Sequence, residues 1–189
     1  TSVATTTCDG STNNVVLVRN GSPYASTTCN AGTGAYSFTN VDPISSNYVF
    51  TVYLDTNGGD KAANVTTGLI TNINDMHLYV DRTVVRHENA GPMTIDLLDA
   101  YDSDQDTDIP FDADVGSPST LTLDPGTKLI VWNNKTLAPG GNVTVAPLGN
   151  GSPYDGTWEL KDGATFTAAG TESHAVGGSL VSGSGASLN

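Results

Sequence analysis

The chain is poor in basic residues: seven lysines and arginines stand against twenty aspartates and glutamates in 189 residues, for a formal net charge of −13. Binding to nucleic acid depends on clustered lysine and arginine, and a surface of this sign repels phosphate backbones. No apolar run approaches the roughly 20 residues that a membrane-spanning helix needs. The sequence therefore argues against nucleic acid as a partner and predicts no membrane span.

Sequence patterns that mark catalytic sites are also missing. There is no G-x-S-x-G nucleophile elbow. The three histidines, His77, His87 and His174, show neither H-x-H nor H-E-x-x-H spacing. Nothing in the pattern selects a pair of carboxylates for glycoside hydrolysis. We therefore expect a protein that is not an enzyme.

Charged residues make up only 14% of the chain, while Thr, Ser, Gly and Asn abound. A surface of hydroxyls and amides is typical of secreted all-β modules. Five N-x-S/T sequons permit N-glycosylation without demonstrating it, at Asn20, Asn64, Asn134, Asn142 and Asn150. These features predict an extracellular or cell-surface location.

Cysteine is scarce, with Cys8 and Cys29 as the two residues of this type, both beside turn-like segments. We expect one disulfide between them, which would stabilise the fold by roughly 3 kcal/mol in the chain-entropy model. The alternative is a pair of buried thiols, and the redox state of the compartment decides between the two.

Short runs rich in β-branched and aromatic residues, bounded by Gly, Pro, Asn and Asp, recur along the chain and are typical of strands. Turn signals spaced by about ten residues favour an antiparallel sandwich over βαβ units. One helix candidate lies near 94–101, where Thr94 is a candidate N-cap and Ile95 and Leu98 share an apolar side. The sequence predicts an all-β fold class with one short helix.

The segment 16–55 follows a distinctive order: a strand, an Asn-Gly turn, a strand, a Gly-rich turn, then Y-x-F and later alternating aromatic and apolar residues. The positions concerned are Gly34, Tyr36, Phe38, Val41, Tyr48, Phe50 and Val52. This order resembles prealbumin-like modules of surface proteins, the carboxypeptidase-regulatory-like and collagen-adhesin B-type repeats. The resemblance implies a seven-stranded Greek-key sandwich used as a stalk, spacer or filament unit. The Lys–Asn isopeptide bond of some members is not expected, because Lys61 lies in a turn.

A boundary near residue 82 divides the chain into two predicted sandwich-like modules. Residues 1–81 form the prealbumin-like sandwich. Residues 82–189 form a second β-rich module with the helix, an acidic loop and a Gly/Ser-rich C-terminal tail. This second part resembles segments of large repetitive bacterial surface proteins, a resemblance that implies no activity.

The segment 101–114 (YDSDQDTDIPFDAD) has no basic residue and carries six aspartates: Asp102, Asp104, Asp106, Asp108, Asp112 and Asp114. If the loop curls, several carboxylates converge as the hard oxygen ligands that Ca²⁺ prefers. The loop is not an EF-hand, because Thr107 stands where that loop needs Gly and Ala113 where it needs Glu. The sequence predicts calcium as the candidate cofactor, with a solvated acidic loop as the alternative.

Aromatic residues raise a carbohydrate alternative. Tyr154 and Trp158 lie near a turn and are the candidates for sugar stacking, whereas Trp132, between apolar neighbours, is predicted to be core. We predict a non-enzymatic structural protein, the repeating subunit of a surface filament, sheath or adhesin stalk. A carbohydrate-binding adhesin module, with glycans as partners, is the alternative function.

The two chain ends predict how such a subunit would self-associate. Residues 1–7 and 176–189 have β character but too little apolar surface to hold a place alone. A terminal strand added to the open sheet edge of the next subunit would give a head-to-tail polymer. The alternative is a disordered tail.

Overall fold

A computed structural model describes residues 14–41, 48–56, 59–68, 72–147, 149 and 156–189. Strands, turns and loops dominate these residues, and α1 (Ile95–Leu98) is the single helix among them. The predicted all-β class and the short helix are confirmed. The strands are β1 (Asn14–Arg19), β2 (Ser22–Thr28), β3 (Val49–Asp55), β4 (Ala62–Thr67), β5 (Arg82–Val85), β6 (Phe111–Asp114), β7 (Ser119–Leu123), β8 (Lys128–Val131), β9 (Thr136–Leu137), β10 (Gly141–Val145), β11 (Thr157–Leu160), β12 (Thr165–Phe166), β13 (His174–Val176), β14 (Leu180–Ser182) and β15 (Ser187–Leu188).

The first four strands form an antiparallel arrangement in the order β2-β1-β3-β4. Alternate residues of a strand point to opposite faces, and both faces are covered here. Val16 and Val18 of β1 join the larger core, whereas Val15 and Leu17 pack under a second apolar layer. Loop residues supply that layer, namely Cys29, Tyr36, Met76 and Leu78. Burial on both faces explains why β1 and β3 are apolar along almost their whole length.

After β6 the chain forms three stacked coils. The first coil contains β7, β8 and β9, the second β10, β11 and β12, and the third β13, β14 and β15. Each strand pairs in parallel with its equivalent in the next coil. This generates three sheets: an eight-stranded sheet β14-β11-β8-β5-β4-β3-β1-β2, a four-stranded sheet β13-β10-β7-β6 and a three-stranded sheet β15-β12-β9. The coils form a short parallel β-solenoid, and the eight-stranded sheet of this solenoid continues into the antiparallel strands β3, β1 and β2.

Inward side chains stack from coil to coil in the solenoid core. Leu129 pairs with Trp158, which pairs with Leu180. Leu137 and Phe166 form the start of a second column. Residues of the first two coils are at most 4% exposed at these positions, whereas Leu180 is 47% exposed because the third coil has no neighbour on its far side among the described residues.

A repeated corner turn connects the eight-stranded sheet to the three-stranded sheet. Its sequences are WNNKTL (132–137), KDGATF (161–166) and GSGASL (183–188). The third position has positive φ in every coil: 56° at Asn134, 67° at Gly163 and 70° at Gly185. A Cβ on Gly163 would lie 2.2 Å from Oδ1 of Asn134, so glycine is required there. This repeat was missed in the sequence analysis, and it is the signal that would have predicted stacked coils.

The arrangement of strands differs from the predicted division into two modules. The boundary near residue 82 falls between β4 and β5, which are parallel neighbours in one sheet, with Ala63 beside Thr83. The larger core also draws on residues from both predicted modules. Alternating apolar residues suit parallel and antiparallel pairing equally, so the pattern located the strands without giving their partners.

Two local predictions near the helix and the tail have mixed outcomes. Ile95 and Leu98 are both buried, as the apolar pattern predicts. Thr94 precedes the helix in an extended conformation, but its side chain makes no capping hydrogen bond. The Gly/Ser-rich tail forms β14 and β15 of the third coil. Within the described part of the chain, no helix is long and apolar enough to cross a membrane.

Candidate functional site

The acidic loop curls between α1 and β6 and is held by its first aspartate. Asp102 is 2% exposed. Its Oδ1 accepts a hydrogen bond from the backbone N–H of Asp104 (3.0 Å), and its Oδ2 accepts one from the N–H of Ala113 (2.8 Å). These bonds fold the two ends of the loop against each other, and burial raises the pKa of the Asp102 carboxyl.

Two other aspartates face strand β3 and have protein donors. The hydroxyl of Tyr53 donates to Oδ2 of Asp106 (2.6 Å), and the N–H of Thr56 donates to Oδ2 of Asp108 (2.8 Å). Burial raises the pKa of Tyr53, and the hydrogen bond to Asp106 adds to that rise. Asp106 and Asp108 therefore fasten the loop to the end of β3.

Of the remaining predicted calcium ligands, Asp104 and Asp112 lie close to Asp102, whereas Asp114 does not. Asp102, Asp104 and Asp112 each place one carboxylate oxygen within 4.8 Å of the others. Burial raises the pKa of Asp112, and the charges of Asp114 and Asp104 raise it further. Asp114 itself is exposed and lies outside this cluster. The structure thus brings together three of the six predicted ligands, and calcium binding stays a prediction.

Calcium binding predicts a specific pair of inactivating substitutions. Asp104→Asn together with Asp112→Asn should abolish Ca²⁺ binding, because two of the three clustered carboxylates lose their charge. We expect the unaltered chain to bind Ca²⁺ weakly, on the order of 10⁻⁴–10⁻³ M as in extracellular modules, with a rise in the thermal midpoint. Isothermal titration calorimetry and thermal unfolding measure both effects.

The matched control is Asp114→Asn, which removes an aspartate charge of the same strand outside the cluster. Binding in the control should equal that of the unaltered chain. Absence of binding heat and of calcium-dependent stability in the unaltered chain would leave the loop as a solvated acidic segment.

The sugar-stacking prediction is wrong for Trp158. Its side chain is 3% exposed and belongs to the solenoid core. The indole meets the Phe166 ring edge to face at 4.5 Å, and Phe166 meets the His174 ring at 4.8 Å. A sugar ring cannot reach an indole enclosed in this way. Tyr154, the other candidate, lies outside the described residues.

Trp132, which was predicted to be core, instead lies on the outer face of the eight-stranded sheet. Leu129 and Val131 of β8 point into the core, so the alternation along the strand turns Trp132, the next residue, outward. The indole stacks on Tyr79 with ring centroids 6.4 Å apart and planes 29° apart. It also lines a cleft at the C-terminal ends of β8, β11 and β14.

The predicted modification sites have different accessibilities. Asn64 is 1% exposed and donates from its amide to the carbonyl of His77 (3.1 Å), so this sequon is inaccessible in the folded chain. Asn20 and Asn134 lie exposed in turns, and Asn142 is half-buried. Asn150 lies outside the described residues. The sequence pattern alone cannot separate these cases, because burial depends on the fold.

The predicted disulfide joins one described and one undescribed residue. Cys29 is 2% exposed and is not a free thiol. Cys8 lies outside the described residues, so its pairing with Cys29 stays a prediction.

Comparison with known proteins leaves the chain without a family assignment. The prealbumin-like resemblance of the N-terminal part therefore stays a prediction. No protein-family model, curated protein or solved structure matches this chain.

Proposed function

We propose that the protein is an extracellular, non-enzymatic structural protein, the repeating unit of a surface filament, sheath or adhesin stalk. The observation that carries the proposal is the open edge of the third coil. Among the described residues, β13, β14 and β15 each stand at the end of their sheet, so all three sheets end on the same coil. Three adjacent strand edges present backbone N–H and C=O groups that another set of strands would satisfy.

The side chains of this open edge also favour coverage by another surface. Leu180, Val181 and Leu188 are 47%, 45% and 55% exposed, and they are three of the four large apolar residues that are exposed among the described residues. An apolar group beside an open strand edge is typical of an interaction site. Residues 176–189 already pair with the second coil, so the proposed contact uses the free edge and not a released tail.

A second copy of the chain offers a partner for this edge. In the described part of the chain the opposite end of the eight-stranded sheet is β2, which is also an edge strand and is largely exposed. Pairing β14 of one copy with β2 of the next would continue the sheet through a head-to-tail contact. Such a contact does not close on itself and therefore extends into a fibre.

The extracellular part of the proposal is supported by composition and by the cysteine. Few charged residues and many hydroxyl and amide groups are typical of secreted β proteins. A cysteine that is not a free thiol is typical of an oxidising compartment.

Leu180→Lys is expected to weaken self-association by about tenfold or more, because assembly would then bury an unpaired ammonium group at the β14 edge, where Leu180 lies in register with Trp158 and not with a carboxylate. The measurement is light scattering after size-exclusion chromatography over a range of protein concentrations, with negative-stain electron microscopy of the same samples. A single substitution is preferable to deleting the tail, because deletion would remove two strands of the third coil.

Val115→Lys is the matched control, since Val115 is 55% exposed and lies in the turn after β6, away from the open edge. We expect this variant to assemble like the unaltered chain. A chain that stays monomeric at every concentration, or a Leu180→Lys variant that polymerises normally, would contradict the proposal.

A further inference from the structure

We propose that the outer face of the eight-stranded sheet binds a neutral glycan in the cleft beside Trp132. The cleft is lined by Trp132, Asn133, Glu159, Lys161, Asp162 and Ser182, with Val181 beside them. We call this group the Trp132 cleft. Glycan binding in this cleft does not depend on assembly into a fibre. Trp132 belongs to neither the acidic cluster nor the open strand edge.

The aromatic wall of the Trp132 cleft is fixed before any ligand arrives. The indole of Trp132 rests on the ring of Tyr79, and the guanidinium of Arg82 lies 5.4 Å from the centroid of that ring. The backbone N–H of Trp132 donates to the carbonyl of Val85 (3.1 Å), which holds the residue against the neighbouring strand. A rigid aromatic surface reduces the ordering cost of binding, and its apolar face suits the C–H face of a sugar ring.

The charged side chains in and beside the cleft are neutralised by each other. The Glu159 carboxylate lies between the ammonium groups of Lys128, at 2.9 Å, and Lys161. Burial alone would raise the pKa of Glu159, but the hydrogen bonds from Lys161 and Lys128 outweigh it and hold the pKa below its usual value. Glu159 is therefore a fixed carboxylate beside an aromatic wall, a position from which it can accept hydrogen bonds from sugar hydroxyls.

The rim adds groups that donate and groups that accept. Asn133 supplies an amide, Ser182 a hydroxyl and Asp162 a carboxylate whose Oδ1 accepts from the N–H of Ser184 (2.8 Å). Sugar hydroxyls both donate and accept hydrogen bonds, so a mixed rim on an aromatic wall matches their chemistry.

Charge favours a neutral glycan over an anionic one. The charges of Glu159 and Asp162 in the cleft are offset by Lys161 and the adjoining Lys128, so the cleft has no excess positive charge to hold a polyanion, and the formal charge of −13 on the whole chain would repel one. A peptide strand would instead use the open edge of β14 and would depend on Leu180, which is exposed at that edge and does not line the cleft. The two occupants therefore predict different sensitive residues.

The test is a titration of the full chain with neutral hexasaccharides: β-1,4-glucan, β-1,4-xylan, β-1,4-linked N-acetylglucosamine and α-mannan oligomers, with an oligogalacturonate as the anionic comparison. We expect at least one neutral oligomer to bind with a dissociation constant of about 1 mM or tighter. Trp132→Ala should weaken that binding by about tenfold or more. Tryptophan fluorescence and isothermal titration calorimetry provide independent readouts.

Tyr24→Ala is the matched control, because Tyr24 is a half-buried aromatic residue with the Arg19 guanidinium 4.3 Å from its ring centroid, on β2 at the opposite end of the sheet. Its glycan binding should not change. Trp132→Phe, which keeps an aromatic face, and Glu159→Gln replace Trp132→Ala if circular dichroism shows that the alanine variant is unfolded. Trp132→Phe should retain part of the binding, and Glu159→Gln should weaken it.

Three results would overturn the proposal. One is the absence of saturable binding by every neutral oligomer up to about 10 mM, a concentration at which even a weak specific site would begin to fill. Another is a preference for the oligogalacturonate. The third is glycan binding that survives Trp132→Ala and disappears with Leu180→Lys, which would assign the ligand to the strand edge, because Leu180 does not line the cleft.

Discussion

Replacing Arg86 by methionine should lower the free energy of unfolding by about 3–5 kcal/mol, because it leaves a partner carboxylate without its counter-charge. Arg86 is 6% exposed, and its Nε lies 2.8 Å from Oε1 of Glu88. These atoms are close enough for an ion pair, although their alignment is poor for a hydrogen bond. Oε1 of Glu88 also accepts from the Thr66 hydroxyl (2.9 Å), so the charge is fixed beside the sheet.

Arg86 also holds a loop against the eight-stranded sheet. Its Nη1 donates to the carbonyls of Asn74 (3.3 Å) and Asp75 (3.1 Å). The adjoining residue Met76 belongs to the outer apolar layer over β1 and β3. Loss of Arg86 should therefore weaken the packing of this apolar layer and also leave the Glu88 carboxylate without its counter-charge. We expect a large effect from one residue because both losses occur together.

The measurement is urea unfolding at neutral pH, and Arg82→Met is the matched control. Arg82 begins β5, the strand that Arg86 directly follows; it is half-buried and has its guanidinium over the Tyr79 ring, so its loss should cost about 1 kcal/mol or less. The double variant Arg86→Met with Glu88→Gln should recover part of the stability. An Arg86→Met variant no less stable than Arg82→Met would show that this ion pair is unimportant.

The sequence predicts elements well wherever the signal is local. The run VFTVYLD appears as β3, and Ile95 and Leu98 form the buried side of α1, because β-branching and apolar spacing act within a few residues. The sequence does not predict in the same way which strands pair with each other. Strands of two residues, such as β12 and β15, are too short to show a period, and the corner turns look like ordinary hairpin turns. The stacking of coils is therefore visible only by aligning the three corner sequences with one another.

The candidate site shows the same division between local and long-range information. Crowded aspartates correctly drew attention to a loop whose carboxylates converge. Which of them converge depends on Tyr53 and Thr56, about fifty residues earlier in the chain, because these donors engage Asp106 and Asp108. The sequence predicts Trp132 in the core and Trp158 at a sugar-binding surface, whereas the structure places Trp158 in the core and Trp132 on the outer face. This difference has a similar cause. Flanking apolar residues indicate a buried strand, whereas the inward or outward direction follows from the phase of alternation relative to the core.

Trp158→Ala should lower the free energy of unfolding by about 3–5 kcal/mol, the usual cost of removing a large aromatic residue from a packed core. Trp158 is the middle member of the column between Leu129 and Leu180, and it packs against Phe166. The cavity would therefore lie directly beneath the third coil, whose own inward residues have no further coil above them among the described residues. We expect the loss to appear first in that coil.

Hydrogen exchange and urea unfolding together test this expectation. Amide exchange should accelerate most in β14, the strand beside Trp158, and Trp132→Ala serves as the control because it removes an indole from the outer face. Trp158→Phe should cost about 1.5 kcal/mol or less, since the indole N–H is buried without a hydrogen-bond partner among the described residues and its removal relieves an unpaired donor. Because β14 forms part of the proposed assembly edge, Trp158→Ala should also reduce polymer formation, whereas Trp158→Phe should not. Equal stability of Trp158→Ala and Trp132→Ala would contradict the assignment of Trp158 to the solenoid core.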